Sequence, residues 1–311
     1  MDQNPFSRRR FLSNGSLLLA APGALMQAAE LASAEGSPRS EIPRDGQRPE
    51  LRIGLVTDLH YADKDPRGQR HYRDSAAKLR EAVDNFNRSQ VQAVVELGDL
   101  IDKASSLEEE IEWLGAINAV YSQVDAPRHY VLGNHCVNTL TKREFTQRSG
   151  ARPETFYSFD LGAWHFVVLD ACFTSSGEPY GRENFDWRDS SLPAAELDWL
   201  RQDLATTLKP VVVFAHQRLD PTEHYTIRNA EAVRSILERS GRVAAVFQGH
   251  SHHNDYALLN GIHYCTLVAL VEGAGLENGG YGVLEIFPDH SLRVSGFRRQ
   301  ASHGFGRQGR A

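Results

Sequence analysis

Five hydrophobic runs of this 311-residue chain each end, within a residue or two, in Asp, Asn or His set beside a small residue: GLVTDLH, VVELGDL, YVLGNHC, VVVFAHQ and VFQGHSH. They place Asp58 and His60, Asp99, Asn134 and His135, His216, and His250 and His252 just beyond strand-like segments. One Asp or His after a strand is an ordinary turn former. Five in the same context, mixing carboxylate, amide and imidazole, have no better structural use than holding metal. The donors suffice for two ions with one His to spare. Two cations a few ångströms apart spread the charge of an anionic phosphoryl group and activate water for in-line attack, which makes phosphoester hydrolysis the chemistry this set suits. Such a pair needs one carboxylate touching both ions. Asp99 is the natural candidate, since its run follows the Asp58/His60 run and Gly98 lets the backbone approach closely.

For these residues to meet, the runs must share one edge, as strands do at their carboxyl ends in an open α/β sheet. Arg52 to Val56 reads as a strand, Arg73 to Asn87 as a helix and Ala93 to Leu97 as a second strand, giving a β-α-β unit. Leu107 to Tyr121 has helical apolar spacing and leads to a strand from Arg128 to Leu132. Thr155 to Asp160 and His165 to Asp170 read as a hairpin around Leu161-Gly162-Ala163-Trp164. Phe173 to Ser191 has no period and reads as a surface insertion near the site. Leu192-Pro193 opens a helix to about Ala205, Val211 to Phe214 is a fully apolar strand, and Asn229 to Glu238 is the next helix. Val243 to Phe247, Asp255 to Leu259, Ile262 to Leu267, Tyr281 to Phe287 and Leu292 to Phe297 are strands, with Asn260-Gly261 as a hairpin turn. Parallel units first and antiparallel strands last predict an α/β fold of two packed mixed sheets flanked by helices.

DLH, GD, GNH, a lone His after an apolar strand, and GHSH, in that order, resemble the calcineurin-like metallophosphoesterases. The resemblance runs from Leu51 to about Arg298 and implies an αββα sandwich. It implies that Asp58, His60 and His252 hold a first metal, Asn134, His216 and His250 a second, with Asp99 between them, and that His135 protonates the leaving oxygen or stabilises phosphoryl charge. The cofactor set is then two divalent ions, Mn, Fe or Zn by ligand chemistry. No Tyr stands three residues after Asp99, where Asp102 stands instead, so the tyrosinate centre of the purple acid phosphatases is not expected. Tyr61 to Lys64, Arg70 to Ser75, Asn85 to Asn87 and the LGDLID run look like the manganese-dependent ADP-ribose/CDP-alcohol diphosphatases, with His60 where that group commonly has Gln. Arg70 and Arg73 are candidates to clamp a second phosphate, and Tyr61 and Tyr72 to stack on a base. Cleavage of a phosphoanhydride or phosphodiester in a small phosphorylated, nucleotide-linked molecule is therefore the expected activity. A phosphomonoesterase is the nearest alternative, and a non-catalytic metal-binding protein of the same fold the next.

Residues 1–34 read as a twin-arginine-like signal, with Ser7-Arg8-Arg9-Arg10-Phe11-Leu12 ahead of a mildly apolar stretch and Ala32-Ser33-Ala34 as a cleavage site. Residues 35–50 read as a linker, 51–299 as the catalytic domain and 300–311 as a flexible tail. The expected partner is the twin-arginine export machinery, and the expected location periplasmic or extracellular. A net charge of -6 gives no basic stripe for polymeric nucleic acid. Three cysteines, Cys136, Cys172 and Cys265, with no C-x-x-C pair suggest neither a disulfide framework nor a thiolate zinc site.

Overall fold

The structure, a computed structural model, describes residues 47–306. The signal-like segment, most of the linker and residues 307–311 lie outside the described residues. In chain order the strands are β1 (Leu51–Val56), β2 (Ala93–Glu96), β3 (Arg128–Tyr130), β4 (Tyr157–Leu161), β5 (Trp164–Val168), β6 (Val211–Phe214), β7 (Val243–Gln248), β8 (Asp255–Leu259), β9 (Ile262–Thr266), β10 (Gly280–Ile286), β11 (Leu292–Arg298) and β12 (His303–Phe305). The helices are α1 (Asp74–Arg88), α2 (Leu107–Tyr121), α3 (Lys142–Ser149), α4 (Ala194–Thr206) and α5 (Ala230–Ser240).

Two six-stranded sheets result, ordered β12-β11-β10-β1-β2-β3 and β4-β5-β6-β7-β9-β8. In the first, β1, β2 and β3 run parallel while β10 pairs antiparallel with β1. In the second, β5, β6, β7 and β9 run parallel between antiparallel edges β4 and β8. This is the expected sandwich of mixed sheets.

Strand periodicity builds the layers. Alternate side chains point to opposite faces, so Ile53, Leu55, Ala93 and Val95 meet Phe166, Val212, Phe214 and Phe247 between the sheets. Their neighbours Val56 and Val94 pack outward with Leu79, Phe86, Leu114 and Ile117 of α1 and α2. Val211 and Val213 likewise pack with Leu200 and Leu204 of α4 and with Val233 and Leu237 of α5. Both faces of the central strands are covered, which is why those runs are continuously apolar. The carboxyl ends of the parallel strands are left as the place where loops gather.

Two elements depart from the sequence reading. Helix α3 was not anticipated, although its signal is present: Thr141 accepts from the Glu144 amide while Glu144 reaches back to the Thr141 amide, a capping box. Eight residues with few apolar positions gave no readable period. The expected tail from 300 is also corrected over its first part. His303–Phe305 pairs with β11, and Phe305 is buried between the sheets, so an aromatic anchor in a Gly-rich stretch outweighed composition.

His165, at the start of β5, ties the β4–β5 hairpin to α4. Its ring contacts Asp203 at 2.8 Å and Asp160 at 2.7 Å. The Asp203 hydrogen bond raises its pKa above 6.5, against burial and with help from Asp160. Because the folded value is raised, the stabilisation is fully present below pH 6.5 and is lost as pH climbs through the folded value. Urea unfolding of the native chain and a His165→Gln variant should therefore differ most at pH 6 and converge toward pH 9.

Candidate dinuclear metal site

The seven residues singled out as ligands converge at the carboxyl ends of the parallel strands. Asp58 and His60 follow β1, Asp99 follows β2, Asn134 follows β3, His216 follows β6, and His250 and His252 follow β7. All seven are buried. Asp58, His60, Asp99, His250 and His252 also have positive φ, between 42° and 71°, a region non-glycine residues rarely adopt. Strained backbone persists only where the surroundings enforce it, and here it turns five side chains from two sheets toward one point.

Close approach needs small neighbours. A Cβ on Gly98, which has φ +105°, would stand 2.5 Å from the His216 ring. One on Gly133 would stand 2.2 Å from the backbone nitrogen and Oδ1 of Asp99. The Gly before Asp99 and the Gly before Asn134 are thus steric requirements of the site.

The donors form two groups sharing one atom. His60 Nε2 lies 3.1 Å from His252 Nε2 and 3.6 Å from Asp58 Oδ1, and His252 Nε2 lies 3.4 Å from the same oxygen. His216 Nε2 lies 3.2 Å from His250 Nδ1. Asp99 Oδ2 stands 3.4 Å from His60 Nε2 and 3.2 Å from His216 Nε2, so a single carboxylate oxygen touches both groups. With metal–donor bonds of about 2.1 Å, adjacent donors in tetrahedral or octahedral shells stand about 3.0 to 3.4 Å apart, which these spacings fit except the His60–Asp58 distance, 3.6 Å and slightly long. Asp58 Oδ1 and Asn134 Oδ1 are buried with no hydrogen-bond partner, which cations would remedy. The residues present therefore fit two divalent ions.

Electrostatics agree. Burial alone would raise the Asp58 carboxyl, but the imidazoles of His252 and His216 hold it well below the usual range. Burial is likewise outweighed at Asp99, which His216, His135 and His60 hold low. Burial would lower His216, yet Asp99 and Asp58 raise it to about 9; Asp58 and Glu272 raise His252 to about 9. His250 goes the other way, to about 3, through burial and His216. At neutral pH two imidazolium groups stand where metal is needed, and ligation requires them neutral. Loading Mn²⁺ at pH 7 should release about two protons per chain, and ion affinity should rise with pH until about 9. Calorimetry in buffers of different ionisation enthalpy measures both.

Around the donors stand groups the sequence reading did not assign. Asp102 Oδ1 lies 3.1 Å from His60 Nδ1 and 2.7 Å from His135 Nδ1, the latter approach being poorly aligned for a hydrogen bond. Its other oxygen takes Lys64. Glu272 Oε1 lies 2.7 Å from His252 Nδ1. Both carboxylates fix rings whose Nε2 atoms face the centre. The G-D-x-x-D spacing was a signal for Asp102, whereas Glu272 reaches the site by chain return. His135 stands edge-on to His60 at 4.6 Å between ring centroids, and its amide donates to Asp99 Oδ1 at 2.8 Å.

The candidate substrate residues are dispersed. Arg70 lies at the metal edge, 3.8 Å from Asp102 Oδ1. Arg73 is engaged by the surface carboxylates Asp63 and Asp65 at 2.5 and 2.8 Å. Tyr72 is 3% exposed with Lys64 over its ring at 4.3 Å, so it offers a base no free face. Tyr61 bridges to Ile101 and packs partly on the core. Among the other histidines, His129 and His263 are strand residues outside both donor groups, and His224 is exposed beside Glu223. All three cysteines are free and buried; Cys136 accepts from the Leu100 amide, a packing role.

A family model described as calcineurin-like phosphoesterase matches residues 51–254. The chain belongs to this family. A manganese-dependent ADP-ribose/CDP-alcohol diphosphatase from Danio rerio is 26% identical over 289 residues, covering 72% of this chain and 88% of that protein. The Xenopus laevis protein of the same name is 22% identical over 315 residues, covering 78% and 87%. Among solved structures, a dimetal phosphatase from Danio rerio superposes with a TM-score of 0.73 at 22% identity, covering 83% of this chain and 99% of that one. A yellow lupin purple acid phosphatase shares the fold at a TM-score of 0.57 and 15% identity, covering 85% and 54%. As a calcineurin-like phosphoesterase the protein is a metal-dependent hydrolase of phosphoric esters or anhydrides, and the two donor groups are its candidate dinuclear centre.

Proposed function

We propose that this calcineurin-like phosphoesterase is an exported enzyme cleaving a phosphoanhydride or phosphodiester in a nucleotide-linked small molecule. The observation that carries the substrate reading is Arg70, a partly exposed guanidinium held at the metal edge beside Asp102. A monoester needs one phosphoryl site; a second cation outside the donor groups suits a second phosphate. The names of the Danio rerio and Xenopus laevis relatives support the same class.

In this reading Asp58, His60 and His252 would hold one ion and Asn134, His216 and His250 the other, with Asp99 the carboxylate shared by the two groups. When bound, the ions spread phosphoryl charge and lower the cost of bringing an oxygen nucleophile to phosphorus. The chain's own residues do the rest. Asp102 and Glu272 keep the His60 and His252 rings aimed inward. His135 presents its ring at the same edge to protonate the leaving oxygen. Burial holds its pKa below the ordinary value against the pull of Asp99 and Asp102. An arriving phosphoryl anion adds a further raising charge, which favours the protonated ring.

Export rests on the sequence of residues 1–34 and on the twin-arginine machinery as partner. No helix of the described residues is long and apolar enough to cross a membrane. Turnover with Mn²⁺ on ADP-ribose, CDP-choline, a cyclic nucleotide, a bis-aryl phosphate and a simple aryl phosphate tests the substrate class. Preference for the last alone defeats it. Retention of the protein in the cytoplasm of a host with an intact twin-arginine system would defeat export.

A further inference from the structure

The rim of the donor cluster carries aromatic rings that neither metal binding nor proton transfer uses. The irregular segment 173–191 brings Phe185 to 5.5 Å from the His135 ring and Trp187 to 6.2 Å from the His250 ring, centroid to centroid. Tyr225, from the loop after β6, stands edge-on to the same His250 at 5.7 Å. It also packs against Trp187 at 5.7 Å with the planes tilted by 31°. Both rings are half-buried.

Their supports are fixed. Buried Tyr180 donates its hydroxyl to the Asp186 carbonyl at 2.8 Å, one residue before Trp187. The Ser191 amide closes the segment on Phe173, and the Arg228 amide, three residues beyond Tyr225, donates to Ser190. The exposed Arg188 guanidinium lies 4.6 Å over the Trp187 ring. That face already takes a planar cation, on a side chain free to move aside.

Apolar rings left half-open at the edge of a charged centre have two uses: to shield the ligands from water, or to receive a flat partner. The Trp187 face over which the planar Arg188 guanidinium lies favours the second, since shielding needs no open face. We propose that the Trp187 ring, backed by Tyr225, is a stacking platform for a nucleobase on the His250 side of the centre. The proposal rests on the diphosphatase reading above and deepens it. The platform adjoins His250, whereas Arg70 adjoins Asp102 and, through it, His60. A substrate then lies across the centre with its base at Trp187 and Tyr225 and its second phosphate toward Arg70.

The test compares kcat/KM for ADP-ribose with that for a dialkyl diphosphate lacking any ring, in Mn²⁺-loaded native enzyme, Trp187→Ala, Trp187→Phe and Tyr225→Ala. Base stacking on an aromatic side chain is worth about 1 to 3 kcal/mol, so the ratio should fall about tenfold or more in Trp187→Ala. Trp187→Phe should keep most of it, and Tyr225→Ala should fall between. Equal losses on both substrates would mean the rings only shield the centre, and an unchanged ratio would mean they bind nothing; either overturns the platform. Should the native enzyme hydrolyse only aryl monoesters, the diphosphatase reading falls by itself. The platform is then judged by inhibition of that activity by AMP against ribose 5-phosphate: an AMP preference lost in Trp187→Ala upholds it, and no preference overturns it.

Discussion

Replacing Asp99 with Asn should abolish turnover and empty the centre together. Asp99 Oδ2 is in contact with both donor groups, while Oδ1 accepts the His135 amide at 2.8 Å. An amide side chain can keep the second bond and lose the negative charge. A bridging carboxylate acts on both ions, so several kcal/mol of phosphoryl charge stabilisation go with it, or about 10³-fold or more in rate. Elemental analysis after dialysis should give fewer than two ions per chain, with circular dichroism unchanged. Retention of two ions at native affinity would show that Asp99 does not join the groups.

His135→Ala should lose about 10² to 10⁴ in kcat while keeping both metals. The ring is one-fifth exposed and stands with His60 and Asp102, outside the Asp58/His60/His252 and Asp99/His216/His250 groups, so its removal takes no donor from either. A proton donor matters most when the leaving oxygen is basic. The loss should be large for an alkyl or sugar ester and small for a nitrophenyl ester, whose leaving group departs unaided. Asp102→Asn should show the same pattern at about 10- to 100-fold, since Asp102 acts through the rings it orients. A loss equal across leaving groups and accompanied by lost metal would make His135 a support for Asn134 instead of a proton donor.

Much of this centre was legible because strands punctuate themselves. Each apolar run announces where it stops, and a polar donor placed just past the stop must lie at the sheet edge. Asp58, His60, Asp99, Asn134, His216, His250 and His252 were readable in that way, as were the crossovers α1 and α2 that force β1, β2 and β3 to run parallel. The Asn260-Gly261 turn was readable for the same local reason, since both residues take positive φ. The α3 helix and β12 were not, being short segments fixed by one capping box and one buried Phe.

The sequence by itself determined the donor inventory and the edge on which it sits, because residue type and strand periodicity are local properties. Only the tertiary structure decided which carboxylates brace which imidazoles and which rings face the centre. Glu272 meets His252 across twenty residues, and Trp187 meets Tyr225 from a different loop. Tyr72, by contrast, turned into the core. Such contacts depend on how irregular loops return to the edge, and no period or propensity encodes that path.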